Sequence, residues 1–498
     1  MTERAGRGTA LWGLLATFGV LFAWCLRPAW GIDVFFHVAI GREVWANGVP
    51  STDIFSAAHP DAAWAPFQLG YELLVALLDR YGGLDLLRVF HAGVFATALT
   101  WLAHRAHRAT HSLAGAALIL AVALVLFDER IRMRPHAINL LLEVAVLLPF
   151  AAGRWRGKPA RARLLIFGTA VLWSFFHAMG ALWLLAVVGT VLVAGPSATD
   201  RRFAATTLAL GALGVALAPG AAAGIAHVLT IQDRWLPFVP ELEPSWSWLT
   251  AAAMDGGPVY ALSQGLLPWL APLAVVAAAI TRPPRHRWPT LLAAAGLAFG
   301  ALVMVRLSYY AAFVLVLLAP ELRGITSRIW RPRVLATAAA VALLAGLAVH
   351  VLPRWAQTNP WTTTLSPGLF PVAEARVLAK ADLRARIWNE TAWGGYLLYV
   401  LFPGSTVASD GRITFAPDVG ELLQADERPS QRLVVAEAAF QRYGIDLLVR
   451  RRGVMPESSA WELLLRGPTA DIWSRRGPVT EARKAAISKA MAKPAARP

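Results

Sequence analysis

A single cysteine in 498 residues rules out a disulfide-stapled scaffold. Charge is also scarce: Asp, Glu, Lys and Arg make up 16% of the chain, where soluble domains carry about 25%. Hydrophobic residues make up 57%, and mean hydropathy is +0.50. A chain of this length could form several soluble domains, but not with so few charges to face water. The same figures exclude a disordered chain. Signatures of soluble catalysis are missing too: there is no CxxC, HExxH, GxSxG, phosphate-binding loop or dinucleotide fingerprint. What the composition leaves is a polytopic membrane protein.

A helix crosses the hydrocarbon core with roughly 20 apolar residues. Runs of that kind cover 11–27, 84–103, 112–128, 203–220, 262–280 and 334–352. The run 137–152 is shorter but bounded by charge. Two stretches are too long for one span: 162–194, broken near His177 and Gly180, and 289–320, interrupted by Arg306 and Ser308. The count is about eleven transmembrane helices.

Charge placement orients them. Lys plus Arg is 47 against 31 for Asp plus Glu, a net +16. With the N-terminus in the cytoplasm, segments 104–111, 153–161, 195–202, 281–288 and 321–333 all face inward, and each carries at least two Lys or Arg. This is the positive-inside pattern. Much of the net charge therefore records topology, not affinity for nucleic acid. None of these inward segments could house a nucleotide domain, which argues against a nucleotide-driven pump. The first run is expected to be an uncleaved span, because no clean small-residue cleavage site follows it. A bacterial inner membrane is the expected setting.

Three long segments fall on the outer side: 28–83, 221–261, and the region after 352. In the first, the spacing predicts a helix over 33–46, with Asp33, His37 and Gly41 on one face. Asn47-Gly48 and Pro50 end it. A second helix over 67–79 carries Glu72. The second outer segment is rich in Pro and Trp and holds Asp233, Arg234, Glu241 and Glu243; it reads as a cleft wall or an interfacial plug. After Trp361 the runs become short and mixed. RARIWNETAWGGYLLYVLFPG reads as a helix or turn and then a strand, STVASDGRI as strand, turn, strand, and AEAAFQRYGIDLLVRRRG as helix into strand. Gly394-Gly395 reads as a simple turn. The expected organisation is a membrane domain over 1–352, an α/β domain over 353–480, and a frayed or disordered tail over 481–498.

The unusual polar residues lie outside the inward segments. Asp33 follows the first span; it is either a helix cap or a functional carboxylate, and a cap would not explain His37 one turn on. Asp53 is open to capping or metal binding. FDERIRMRPH places Arg132, Arg134 and His136 on the outer side, against the positive-inside expectation, so a partner is required: Asp128, Glu129, or a phosphate. His177 lies between two short apolar stretches. Arg306, within LVMVRLSYYAAF, is costly unless paired or placed in a polar cavity. A lipid phosphate, Asp33 or Glu72 would each serve as its partner.

The segments DVFFHVAIGREVWANGVPSTDIFS, WAPFQLGYELL, RMRPHAINLL, FFHAMGAL, VRLSYYAAFVLVLLAP and WNETAWGGYLLY carry a resemblance. Over about residues 10–450 the chain is similar to a bacterial branch related to the GT-C class, the polytopic membrane glycosyltransferases that use polyprenyl-phosphate-linked sugars. The resemblance implies a GT-C-like α-helical membrane domain with a C-terminal extracytoplasmic α/β domain. It implies glycosyl transfer from a polyprenyl-phosphate-linked sugar to an envelope acceptor on the extracytoplasmic face. Asp33 would be the catalytic base or would position the acceptor, with His37 beside it. Asp53, Glu72, Arg132, Arg134, His136, His177 and Arg306 would bind substrate. Many GT-C enzymes carry a paired acidic motif where this chain has Ile32-Asp33-Val34, which leaves a divalent cation an open question. The long sequon-reading motifs of oligosaccharyltransferases are missing, which argues against transfer to asparagine. The partners implied are membrane lipid, the lipid-linked donor, and a glycan, lipid or protein acceptor, with no nucleic acid. The rival readings are a transporter, which needs charges across the full membrane thickness, and a non-catalytic scaffold for envelope polysaccharide assembly.

Overall fold

The computed structural model describes residues 2–64, 68–226, 244–247, 261–329, 358–412, 436–454 and 459–492. The expected span 334–352 and most of the second outer segment, including Asp233, Arg234, Glu241 and Glu243, lie outside the described residues. The chain divides into two compact units. The first is Met1–Pro28, Phe67–Gly70 and Arg88–Thr364; the second is Ala29–Pro66, Tyr71–Leu87 and Leu365–Pro498. This grouping differs from a division at residue 352. The first outer segment belongs with the C-terminal region because main-chain bonds tie them together: Ala57 N–H donates to Val407 O at 2.7 Å, and Val407 N–H donates to Phe55 O at 3.2 Å.

The first unit is helical. Its elements are α1 (Thr2–Cys25), the latter part of α3 (Leu69–Thr110), α4 (Leu113–Phe127), α5 (His136–Ala151), α6 (Pro159–Ala194), α7 (Ala198–Leu217), α8 (Leu270–Ile280), α9 (Trp288–Val303) and α10 (Tyr310–Ile329). Two of the described helices, α3 and α6, are long and apolar enough to cross a membrane. The expected eleven spans are not established by the described helices. Local chemistry sets the starts: Ser112 accepts from Gly115 N–H at 3.2 Å to cap α4, and Ser197 accepts from Asp200 N–H at 3.0 Å to cap α7. Buried Leu, Val, Phe and Ala side chains from these helices form one apolar core. Large apolar side chains also face outward, such as Trp12 at 72% exposure and Phe299 at 67%. Helices apolar inside and out suit a lipid environment better than water.

Both breaks expected in the long apolar stretches are present. His177 has non-helical dihedrals (φ −165°, ψ 90°) inside α6, and its Nδ1 accepts from Gly180 N–H at 3.3 Å, so it restarts the helix as an N-cap would. Between α9 and α10 the chain turns extended at Met304 and passes through a 3-10 turn, Val305–Leu307, that holds Arg306. Ser308 Oγ donates to Gln264 Oε1 at 3.0 Å next to this break.

The second unit combines α2 (Asp33–Asn47), the first arm of α3, and an α/β region. α3 kinks at Gly82 and Gly83, so the helix expected over 67–79 is its arm before the span read at 84–103. The α/β elements are α11 (Val372–Lys380), β1 (Ala385–Asn389), α12 (Thr391–Leu401), β2 (Ser405–Val407), α13 (Ala436–Arg442), β3 (Leu447–Arg451), β4 (Trp461–Arg466), β5 (Ala470–Arg475) and α14 (Pro478–Ala492). The sheet order is β2-β1-β3-β5-β4; β2, β1 and β3 are parallel, and β5 pairs antiparallel with both β3 and β4. Trp388, Phe440, Leu448, Trp461 and Trp473 form its core.

Three sequence expectations are corrected here. RARIWNETAWGG is strand then helix, not helix or turn then strand, because Ile387 and Trp388 are needed in the buried sheet. Gly394 and Gly395 are not a turn but lie within α12, where a Cβ would sit 1.8 Å from Ser409 O and 2.6 Å from Ile32 O; only glycine lets the helix approach so closely. Finally, residues 481–492 are part of α14, not a frayed tail. Arg483 anchors that helix, donating to Asp446 O and Ser474 Oγ, each at 3.0 Å.

Candidate functional site

Asp33 occupies the first turn of α2; Ile32 stands at the N-cap position and offers no side-chain cap. Asp33 is half-buried, and its Oδ1 faces Gly411, where a Cβ would meet it at 2.6 Å. One turn on, His37 is buried, packed against Phe36 and edge-on to Tyr71, with ring centroids 4.1 and 4.9 Å away. Its Nδ1 lies 3.4 Å from Glu72 Oε1, a weak bond between two buried groups. At Gly41, one turn further, a Cβ would meet Glu72 O at 2.0 Å, so this glycine brings α2 onto α3. Asp33, His37 and Gly41 do share a face, and Glu72 faces the middle of it.

Glu72 is 4% exposed, and its Oε2 has no hydrogen-bond partner among the described residues. It stands before the Gly82–Gly83 kink, outside the span read at 84–103. Burial pushes its carboxyl up to about 8, with the Arg412 charge acting against the rise. At neutral pH it is therefore largely protonated.

Asp53 is also buried, in an ion-paired trio. Arg412 Nη1 donates to Asp53 Oδ1 at 2.9 Å, and Arg412 Nε donates to Asp410 Oδ1 and Oδ2 at 2.9 and 3.0 Å. The guanidinium lies 5.3 Å from the Phe55 ring centre and 5.4 Å from that of Trp64. Burial opposes its charge, but Asp410 and Asp53 more than offset this and hold it above its ordinary range. Asp53 also accepts from Phe55 N–H at 3.1 Å. Asp410 and Arg412 were missed from sequence. The available signal was an Asp-Gly-Arg turn with opposite charges two residues apart between apolar runs. A second missed network joins Arg42, Asp79 and Tyr399: Arg42 Nη2 donates to Asp79 Oδ2 at 2.6 Å, and Tyr399 OH donates to Asp79 Oδ1 at 3.0 Å.

The remaining candidates belong to the first unit. His136 opens α5, and its ring centre lies 5.4 Å from that of His177. Arg130, Arg134 and Arg306 act electrostatically on the same imidazole. Arg132 lies in the same turn as Arg130 and Arg134. Asp128 accepts from Arg27 at the end of α1. Further along α5, Glu143 is 1% exposed and accepts at Oε1 from Tyr309 OH at 3.1 Å and Tyr310 OH at 2.8 Å. Glu143 opens a π-helical turn, Glu143–Leu147, within α5.

The described residues do not fit a divalent-cation site. No group of three His, Cys, Asp or Glu is gathered among them. Asp53 and Asp410 face a guanidinium, and His37 faces Glu72.

No family model and no curated protein matches the sequence. Solved structures do match in fold. The archaeal oligosaccharyltransferase AglB from Archaeoglobus fulgidus, in complex with an inhibitory peptide and a dolichol-phosphate, superposes with a TM-score of 0.55 at 14% identity, covering 89% of this chain and 70% of that one. The same organism's enzyme tethered to an acceptor peptide containing the NVT sequon gives 0.55 at 14% identity, covering 88% and 69%. Its complex with Zn and sulfate gives 0.53 at 13% identity, covering 88% and 67%. These neighbours are glycosyltransferases of the GT-C type, and this chain has their fold.

Proposed function

We propose that the chain is a membrane glycosyltransferase that moves a sugar from a lipid-phosphate donor to an acceptor nucleophile. The observation that carries this is Asp33: a half-exposed carboxylate at the start of a helix whose next turn is fixed by buried His37 and Glu72. A general base must be open to its proton and held by its surroundings; the partial exposure of Asp33 and its place in the first turn of α2 support that role. In the reaction, the acceptor oxygen or nitrogen attacks the anomeric carbon and the bond from that carbon to the phosphate oxygen breaks. Asp33 takes the acceptor's proton, and the lipid phosphate leaves with the bonding electrons. His37 and Glu72 act as positioning residues; their burial keeps them from touching the acceptor. The Arg412 trio holds the Gly411 turn against Asp33.

In the first unit, Arg132, Arg134, His136, His177 and Arg306 have the chemistry to bind a phosphate-bearing ligand. Arginine offers paired N–H donors to phosphate oxygens. The fold supports a lipid-linked donor, since a structural neighbour is described in complex with a dolichol-phosphate. A neighbour was also crystallised with Zn. A polyprenyl carrier, an envelope acceptor, and an extracytoplasmic active face in a bacterial inner membrane complete the proposal.

The test compares purified wild type with Asp33→Asn on a panel of polyprenyl-phosphate sugars and acceptors. Asn matches Asp in shape, and losing one charge from the first turn of a helix costs only about 0.3–1 kcal/mol, so expression should hold and melting should change little. Turnover should fall by at least about 100-fold, the lower end of what a general base contributes. Equal turnover would remove Asp33 from the mechanism.

A further inference from the structure

Two of the five basic connecting segments meet at one cavity of the first unit. Its volume is about 460 Å³, and it is lined by His107, Arg108 and His111 at the end of α3 and by Arg154 in the turn after α5. That size lies within the range of small-ligand sites. The surroundings add charge of the same sign. Burial pushes the nearby Arg105 guanidinium down to about 10, and Arg154 and Arg108 add to the effect; it stays charged at neutral pH. His104 is lowered too, by burial first and then by Arg108, Arg105, His107 and Arg154.

None of His107, Arg108, His111 and Arg154 has an acidic ion-pair partner among the described residues. The negative end of the α3 dipole favours the cations of its last turn, His107 and Arg108, but it does not account for Arg154 from another segment. The positive-inside pattern accounts for basic segments, but not for two of them converging on one hollow. Like charges gathered this closely repel one another unless an anion lies between them. Aromatic side chains flank the same region: Arg105 lies 5.3 Å from the Trp101 ring centre and Arg156 4.8 Å from that of Trp155, which stacks on Phe203 at 4.4 Å. Tryptophan is enriched where membrane meets water.

We propose that this hollow binds the phosphate-bearing headgroup of an anionic membrane lipid. Its arginines grip the phosphate oxygens, and the flanking tryptophans lie at headgroup level. Basic pockets between membrane helices are the usual seat of such headgroups. The site is separate from the cations around His136 and does not depend on the glycosyltransferase reading.

The test is native mass spectrometry of the full chain, purified in neutral detergent and supplied with phosphatidylglycerol or phosphatidylcholine, with inorganic phosphate titrated in parallel. Wild type should retain phosphatidylglycerol in preference to phosphatidylcholine. Arg108→Gln with Arg154→Gln should weaken retention about ten- to thirtyfold, from about one kcal/mol per basic residue at a lipid surface. Arg108→Lys with Arg154→Lys should keep most of it. Melting curves confirm that each variant is folded; if the Gln pair melts early, single Arg154→Gln is read instead, with an expected loss of about fivefold. Equal retention by wild type and the Gln variant overturns the proposal, as does equal retention of the two lipids. Displacement of the lipid by equimolar inorganic phosphate would overturn the lipid as the source of the anion.

Discussion

Replacing Arg412 with methionine should be among the most damaging single changes in the second unit. Arg412 is 7% exposed, and its partners Asp410 and Asp53 are 4% and 2% exposed. The substitution keeps much of the apolar stem but strands two carboxylates that water cannot reach. Breaking a buried pair by removing one partner costs about 3–5 kcal/mol, mostly as the penalty on the charge left behind. At roughly 2–4 °C per kcal/mol for domains of 150–250 residues, the melting transition of this unit should fall by about 6–20 °C. The assay is intrinsic tryptophan fluorescence during heating of the purified full chain. The triple variant Asp53→Asn, Asp410→Asn, Arg412→Met removes all three charges together and should recover most of the loss, because neutral replacement of a whole buried ionic group is often tolerated. Arg412→Lys should fall between, since an ammonium cannot reproduce the fork that reaches Asp53 and Asp410 at once. An Arg412→Met protein melting within about 2 °C of wild type would refute this reasoning.

Glu72 gives a pH signature. Its folded value of about 8 lies above its ordinary 4.5, so its contribution is fully present below about 4.5 and is lost as pH rises through 8. Between pH 5 and 8 this adds a falling slope of at most about 1.4 kcal/mol per pH unit. Glu72→Gln cannot ionise and should flatten the slope; parallel denaturation profiles for the two proteins would contradict the assignment. Gly41→Ala should cost about 1–3 kcal/mol or more by overpacking, because its Cβ would sit 2.0 Å from Glu72 O. Gly13→Ala, where a Cβ meets nothing within 4 Å, should instead be neutral or slightly stabilising. Chemical denaturation of both variants checks the contrast.

What could be read from the sequence was local. Asp33, His37 and Gly41 recur at helical spacing, and α2 forms there. His177 and Arg306 interrupt apolar runs, and both breaks occur. The α13–β3 order followed from AEAAFQRYGIDLLVRRRG, which reads as helix into strand. What could not be read depends on partners far away in the chain. Asp53 and Arg412 are separated by 359 positions, and nothing near either residue announces the other. Gly394 and Gly395 look like a turn until Ser409 and Ile32 are seen against them. The Ala- and Lys-rich end of the chain looks frayed until Arg483 is seen bonded to the carbonyls of Arg384 and Asp446, just ahead of β1 and β3, and to the Asp446 carboxylate. His177 was legible as a break, but its part in restarting the helix required its ring orientation.

The second unit is sewn from opposite ends of the chain, Ala29–Pro66 and Tyr71–Leu87 near the start and Leu365–Pro498 at the finish. This has a consequence for biosynthesis. A ribosome adds about 5–20 residues per second, so roughly 15–60 s pass between emergence of the two parts. For that interval Asp53 lacks Arg412, the stretch at Phe55–Ala57 lacks the β2 edge it bonds to, and α2 lacks the α12 surface on which Phe35 meets Tyr396. Loop closure over so many residues adds little to the equilibrium cost, since that term grows only with the logarithm of length. The burden is kinetic: a half-built face with an unpaired edge is open to wrong partners until translation ends. Any chain truncated before Leu365 keeps Asp53, the Phe55–Ala57 stretch and α2 without those partners.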